Sequence, residues 1–258
     1  MNITTEGVVL KVGRLNGTDR VCTIMTEKLG VIRAFAKGAQ NPKNKNSSST
    51  AQFSSGQFTL YSGHDRFLID EAACGQPFFS LRDNISSLAL AQYICELFSE
   101  VARTEENAHE ELRLLRGALH YLSSRTRPEL LVKAAVEMRL LAWEGYAPDL
   151  TMCRDCGAFE SDTMFFLTKS GQLVCSECAS SFSEIAFPLG KGALMALRHT
   201  VYAQLDKLFS FSLPESTLEI LAKACEQYTV TQLDREFSTL SFFHTVTDEP
   251  MPVTPTDI

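Results

Sequence analysis

The amino-acid sequence predicts an α+β protein of several domains: a small β-barrel, then an α-helical body with a four-cysteine zinc ribbon inserted into it. Three observations support this fold class. Short β-branched segments separated by turn residues fill residues 1–78. Apolar residues then recur three and four positions apart, as in helices, and two C-x-x-C pairs interrupt that helical pattern.

Five predicted strands make up the barrel. They read "GVVLKV", "RVCTIMT", "GVIRAFAKG", "FTLYSG" and "RFLIDEA". The polar and basic segment "GAQNPKNKNSSST" follows the third strand, and we expect an exposed, mobile loop there because the segment offers no apolar anchor. Five short strands with a long loop after the third predict an OB-fold-like barrel, of the oligonucleotide-binding type, over residues 1–78. An SH3-like barrel would give much the same pattern.

Residues 79–150 and 185–243 carry the pattern of one helical domain. Segments such as "PELLVKAAVEMRLLAWEGY" place apolar side chains on one helical face. Pro128 is expected in the first turn of that helix, where a proline loses no hydrogen bond. The closing residues 244–258 are rich in Pro, Thr and Asp and predict a disordered tail.

Two cysteine pairs, with 18 residues between them, match the spacing of a zinc ribbon over residues 151–184. Two residues between thiolates let one tight turn present both sulfurs to an ion, and two such turns complete a tetrahedron. Four thiolates leave no open position for a substrate, so we expect one structural zinc ion. The predicted ligands are Cys153, Cys156, Cys175 and Cys178. The other four cysteines lie singly in apolar patterns, which predicts buried, reduced thiols.

Two other functions for the paired cysteines are disfavoured. A redox dithiol rarely occurs as two matched pairs. A zinc deaminase would use His109 and Glu111, which match H-x-E, but no proline precedes Cys153 and the second cysteine pair would have no purpose. The sequence contains no Walker A motif, nucleophile elbow or dinucleotide fingerprint, so we expect a protein that is not an enzyme.

The charge is unevenly distributed. The chain carries a net charge of −7, yet its first 50 residues hold eight basic and three acidic residues, a net +5 that leaves −12 for the remainder. A basic head on an acidic body predicts an anionic partner for the head. No leader-like segment and no apolar run long enough to span a membrane occurs, which predicts a cytoplasmic protein without a membrane partner.

The basic head has a candidate binding face. Arg33, Phe35 and Lys37 alternate along one predicted strand, so their side chains share one face and offer charge for phosphates and a ring for stacking a base. Lys43 and Lys45 follow on the loop. An ordinary charged surface is the alternative interpretation.

Several segments together resemble the bacterial RecO family of DNA repair proteins. They read "TEGVVLKVGRLNGTDRVCTIMTEKLGVIRAFAKGAQNPKN", "PELLVKAAVEMRLLAWEGYAPDLTMCRDCG", "FPLGKGALMALRH" and "LDREFSTLSFF". The resemblance implies a recombination mediator, cytoplasmic and associated with the nucleoid, that catalyses no reaction. It implies binding of single- and double-stranded DNA, annealing of complementary strands coated with single-strand binding protein and, with RecR, help in loading RecA. It leaves a part for RecF open.

The resemblance also implies site residues. The four paired cysteines match the zinc ligands of those family members that keep them. The candidate DNA contacts are Arg14, Arg20, Arg33, Lys37, Lys43 and Lys45, with Phe35 for stacking. The chain differs from many members in having few arginines in the loop after "AKGA" and only Arg235 in its closing segment. An RNA- or protein-binding module of transcription or translation is the alternative, because such barrels and ribbons occur together there too.

Overall fold

A computed structural model describes residues 2–15, 17–63, 66–102 and 107–247. These residues divide into two compact units. One holds the residues up to Thr126 together with those from Phe237 onward, and the other is Arg127–Glu236. The structure therefore divides the helices between two units, whereas the sequence analysis placed them all in one domain. No helix among the described residues is both long enough and apolar enough to cross a membrane.

The first unit begins with the five predicted strands. They are β1 (Asn2–Arg14), β2 (Arg20–Thr26), β3 (Gly30–Ala36), β4 (Ser54–Ser62) and β5 (Phe67–Pro77). Neighbouring strands are antiparallel except β3 and β5, which are parallel, and β4 pairs with β1. The order β1-β2-β3-β5-β4 thus returns to β1, so the hydrogen-bonded circuit is closed.

Side chains alternate between the two faces of this sheet along each strand, and those on the inner face form its core. On β3, Ile32, Ala34 and Ala36 are buried inside, whereas Arg33 is exposed on the opposite face, as a two-residue period requires. The close approach of the β5 backbone at Ala73 requires glycine at position 56 of β4. A Cβ atom there would lie 2.0 Å from the carbonyl oxygen of Ala73, so only glycine is compatible with this pairing.

The loop of residues 37–53 is not the free, mobile segment that its composition suggested. Side chains of β2 and of the loop itself hydrogen-bond its backbone: the Arg20 guanidinium donates to the carbonyl of Ser47 (2.6 Å), and Asn44 Nδ2 donates to the carbonyl of Lys37 (3.0 Å). Thr50 is fully buried, and its hydroxyl donates to the carbonyl of Asn46 at 2.6 Å. Ala39 of the loop also lies in the hydrophobic core of the sheet, so polar and apolar contacts together anchor this segment.

Three helices complete the first unit: α1 (Ile85–Val101), α2 (His109–Ser124) and α6 (Ser238–Val246). The Asn84 side chain caps α1 by accepting a hydrogen bond from the amide of Ser87 at 2.8 Å. The Tyr93 ring of α1 meets Phe237, just before α6, edge to face with centroids 5.5 Å apart. The predicted tail begins at residue 244, and in the structure α6 continues to Val246. Residues 248–258 lie outside the described residues.

The second unit consists of a four-stranded sheet and three helices. The helices are α3 (Glu129–Trp143), α4 (Lys191–Tyr202) and α5 (Glu215–Leu233). The strands are β6 (Asp149–Cys153), β7 (Met164–Leu167), β8 (Gln172–Cys175) and β9 (Ala186–Leu189), in the order β6-β8-β7-β9. Pro128 immediately precedes α3 and so stands one residue before its expected place in the first turn.

A buried ionic cluster joins α3 to α5. Lys133 is 1% exposed, and its Nζ lies 3.0 Å from Glu137 Oε1 and 2.8 Å from Glu226 Oε2. Burial by itself would lower the pKa of Lys133, but the two carboxylates outweigh it and raise that pKa above its usual value. Because the folded-state pKa is raised, the contribution of this lysine persists at neutral pH and is lost only in alkaline solution.

We expect Lys133→Met to destabilise the second unit by about 3–5 kcal/mol, because the buried carboxylate of Glu137 and the partly exposed one of Glu226 would lose their cation. Urea unfolding followed by circular dichroism measures the change. Lys223→Met is the matched control, since Lys223 is exposed on the neighbouring helix α5. Equal stability of the two variants would show that the cluster does not hold α3 to α5.

Candidate functional site

A groove opens on the first unit beside the seam between β3 and β5. It encloses about 570 Å³. Lys37 and Lys45 contribute ammonium groups to its lining, and Phe35, Tyr61 and Leu68 contribute apolar surface. Positive charge beside exposed rings is the combination that holds a flexible polyanion carrying flat bases.

The short seam explains why the groove exists. Only two residue pairs join β3 to β5, Ala34 with Phe67 and Phe35 with Leu68. Beyond them the loop takes the place of a strand, because Asn46 Nδ2 donates to the carbonyl of Asp70 (3.1 Å) and Asn46 Oδ1 accepts from the amide of Ala72 (3.0 Å). Anchoring Asn46 in this way holds its neighbour Lys45 at the groove.

Two aromatic rings face this groove from different strands. Phe35 is half-buried on β3, and the guanidinium carbon of Arg66 lies 5.6 Å from its ring centroid, within range for a cation–π contact. Tyr61 is 50% exposed on β4. The sequence analysis missed Tyr61 and Arg66. Alternation in "FTLYSG" could have placed Tyr61 on the outer face, but only strand pairing brings β4 to the same groove as β3.

The predicted DNA contacts fall into three groups: residues that line the groove, exposed residues outside it, and Arg20. Phe35, Lys37 and Lys45 line the groove. Arg14, Arg33 and Lys43 are exposed on the same unit but are not part of the groove lining.

Arg20 stands apart because its guanidinium is already engaged. Its donors reach the carbonyl of Ser47 and the hydroxyl of Thr50, at 2.6 and 3.1 Å. The geometry therefore gives Arg20 a role in holding the loop that carries Lys45.

The four paired cysteines converge in the second unit. The Sγ atoms of Cys153, Cys156, Cys175 and Cys178 all lie within 4.8 Å of one another. Those of Cys156 and Cys175 are 3.6 Å apart. Four sulfurs about 2.3 Å from a central zinc ion are separated by roughly 3.8 Å, so the cluster fits tetrahedral coordination. Among the described residues, no other cluster of three or more His, Cys, Asp or Glu side chains could hold a metal ion. His109 is not part of such a cluster; its Nδ1 lies 3.0 Å from Glu27 Oε1.

Backbone turns shape the first cysteine pair. Gly157 adopts a left-handed conformation with φ of +76°, and its amide donates to the carbonyl of Cys153 at 2.9 Å. The amide of Cys153 donates to the carbonyl of Ala158 at 2.8 Å, which closes the turn. The amide of Cys175, from the second pair, donates to the sulfur of Cys153 at 3.3 Å.

Hydrogen bonds shift the pKa values of the thiols in this cluster in opposite directions. Burial raises the pKa of Cys153, but backbone amides, those of Cys156 and Cys175 foremost, outweigh it and lower that pKa to about 6. Hydrogen bonds with the thiols of Cys175 and Cys156 raise the pKa of Cys178 to about 12. A divalent cation favours the thiolate form of such sulfurs, because the thiolate is the form that binds metal.

The comparison with known families covers both units. The model described as Recombination protein O N terminal matches residues 1–78, and the one described as Recombination protein O C terminal matches residues 82–241. The chain belongs to the RecO family. Membership gives it a role in DNA repair and recombination.

RecO relatives match nearly end to end. The DNA repair protein RecO of Acetivibrio thermocellus is 30% identical over 244 residues, which cover 95% of this chain and 97% of the relative. That of Alkaliphilus metalliredigens is 27% identical over 235 residues, or 91% and 95% of the two chains. That of Caldanaerobacter subterraneus is 25% identical over 246 residues, or 95% and 99%.

We expect Cys175→Ser to abolish stable zinc binding, since three thiolates cannot close the tetrahedron. Elemental analysis after dialysis should give one zinc ion per wild-type chain and little in the variant. Cys74→Ser is the matched control because Cys74 is an exposed thiol outside the cluster. Equal zinc contents in both variants would mean that the cluster is not the metal site.

Proposed function

We propose that this RecO-family chain is a DNA-binding recombination mediator that anneals complementary strands coated with single-strand binding protein. With RecR, it would assist the loading of RecA. The observation that carries the proposal is the groove where Phe35 and Tyr61 stand beside Lys37 and Lys45. The lysines can contact the phosphate backbone of an unpaired strand, and the rings can stack on its exposed base faces.

The strand order supports an OB-fold-like barrel as the frame of this groove. A five-stranded barrel of that type binds oligonucleotides on the face of its second and third strands and with neighbouring loops. Phe35 lies on β3, and Lys45 lies on the loop that follows it. We therefore keep Arg14, Arg33 and Lys43 as flanking phosphate contacts and assign Arg20 to support of the loop.

Annealing requires no bond to be made or broken in the protein. Lysine and arginine side chains neutralise phosphates and release counterions, which lowers the repulsion between two strands. A surface that holds both strands also raises their effective concentration. The proposal therefore describes a mediator, with single- and double-stranded DNA, RecR and single-strand binding protein as partners and no catalytic residue.

Zinc has a structural part in this proposal. Cys153, Cys156, Cys175 and Cys178 would hold one ion, and their closed set leaves no position for substrate. Bound zinc would stabilise the thiolates and join the ends of β6 and β8 through the turns that carry the cysteines. A structural zinc of this kind contributes on the order of 10 kcal/mol to the folding of its module.

Tyr61→Ala should weaken binding of single-stranded DNA by about 1–3 kcal/mol, because a stacked base would lose its ring. The slope of log affinity against log salt should not change, since no charge is removed. Fluorescence anisotropy with a labelled oligonucleotide at several salt concentrations measures both quantities.

Tyr202→Ala is the matched control for this variant. Tyr202 is 57% exposed and belongs to the second unit, so its loss should leave DNA affinity unchanged. Similar losses in both tyrosine variants would remove the groove from the proposal. Competition with an RNA oligonucleotide of the same sequence tests the alternative of an RNA-binding module, which predicts preference for RNA.

The decisive experiment measures how fast two complementary DNA strands, each coated with single-strand binding protein, become duplex. We expect the wild-type protein to accelerate annealing and Arg33→Glu/Lys37→Glu to lose most of that effect, because reversed charges repel phosphates. Lys11→Glu/Lys28→Glu changes the net charge equally and replaces exposed lysines that do not line the groove. The proposal fails if wild type gives no acceleration with or without RecR.

A further inference from the structure

A permanently charged side chain is buried beside the cysteine cluster without being one of its ligands. Arg198 lies on α4 and is 7% exposed. Its donors reach three backbone carbonyls: Nε donates to that of Leu150 (2.8 Å), and Nη2 donates to those of Thr151 (3.1 Å) and Phe159 (2.7 Å). Burial lowers the pKa of Arg198 from its usual value. A buried cation of this kind is costly, which indicates that these contacts hold something in place.

The three carbonyls lie on both sides of the first cysteine pair. Leu150 and Thr151 belong to β6, which enters the turn at Cys153. Phe159 lies just after the turn, three residues beyond Cys156. One guanidinium therefore holds the segment entering the turn and the segment leaving it, and so restricts how far the two can separate.

The chemistry of the contact favours this bracing role. A guanidinium is planar and rigid, and its donors have fixed directions, so it can bond several carbonyls at once with little loss of freedom. The ring of Phe159 lies 3.8 Å from the guanidinium carbon, which limits movement out of the plane. An ammonium group on a flexible stem cannot reproduce this arrangement.

We propose that Arg198 positions the first cysteine pair for metal binding, so that zinc affinity depends on a residue of α4 that is not a ligand. The inference rests on the proposed zinc site. Groups that orient metal ligands typically change affinity about 10- to 100-fold when they are replaced.

A second buried arginine supplies a matched control. Arg139 on α3 is 4% exposed, and it donates to the carbonyls of Thr200 (2.9 Å) and Ala203 (2.7 Å) at the end of α4. Its contacts resemble those of Arg198 in kind, with two carbonyls in place of three, but they reach the helix end and not the cysteine turn. Arg139→Met should therefore lower stability without changing the geometry of the metal site.

The test measures zinc affinity by competition with a chromophoric chelator, with thermal unfolding recorded for each variant. We expect Arg198→Met to weaken zinc binding about 10- to 100-fold. Arg139→Met should lower the unfolding temperature and leave zinc affinity unchanged. Arg198→Lys should stay close to Arg198→Met, because one ammonium group cannot bond carbonyls on both sides of the turn.

Several outcomes would overturn the inference. Unchanged zinc affinity in Arg198→Met would do so, and so would equal losses in Arg198→Met and Arg139→Met, which would indicate a general effect of stability. If Arg198→Met does not fold, Arg198→Lys with Co²⁺ as the probe decides, because an unaltered four-thiolate absorption spectrum and affinity would exclude positioning. Failure of the wild type to bind zinc would refute the zinc site itself.

Discussion

The first unit depends on a short parallel seam between β3 and β5. Two residue pairs join these strands, and the side chain of Asn46 extends the junction by bonding the backbone of β5 on both sides of Glu71. Backbone groups of a strand need partners wherever they are buried, so an amide side chain, which carries both an N–H donor group and a carbonyl acceptor, can stand in for a neighbouring strand. Because a side chain takes the place of a strand here, the outer surface stays open beside Phe35, and the groove lies there.

Fixed cations organise the second unit in a comparable way. Lys133 joins α3 to α5 through two carboxylates, Arg139 joins α3 to the end of α4, and Arg198 joins α4 to the cysteine turn. Each of these side chains is buried and reaches a neighbouring element. Because a buried charge is tolerated only with its partners in place, these contacts specify one arrangement of the helices and the ribbon.

In the proposed function, charge and aromatic surface would suit this small sheet to the annealing of DNA strands. Phosphate contacts give affinity without sequence preference, and base stacking favours strands whose bases are unpaired. The proposed mediator would use both properties, because it would bind strands of any sequence while their bases are unpaired. Asp70, whose side chain is exposed in the same groove, limits the local positive charge.

Local patterns in the sequence determined the elements and the cysteine cluster. Short β-branched segments between turn residues identified the five strands, and the spacing of Cys153 and Cys156 with their matching pair identified a cluster that the structure brings together. Contacts between distant residues could not be read in this way. The polar loop looked free in the sequence, but in the structure Arg20 bonds its backbone and its own Asn46 bonds β5. Tyr61 reached the groove only through strand pairing, and Arg198 looked like one more helical residue. Periodicity reports which face of one element is buried, whereas the tertiary structure alone decides which elements meet.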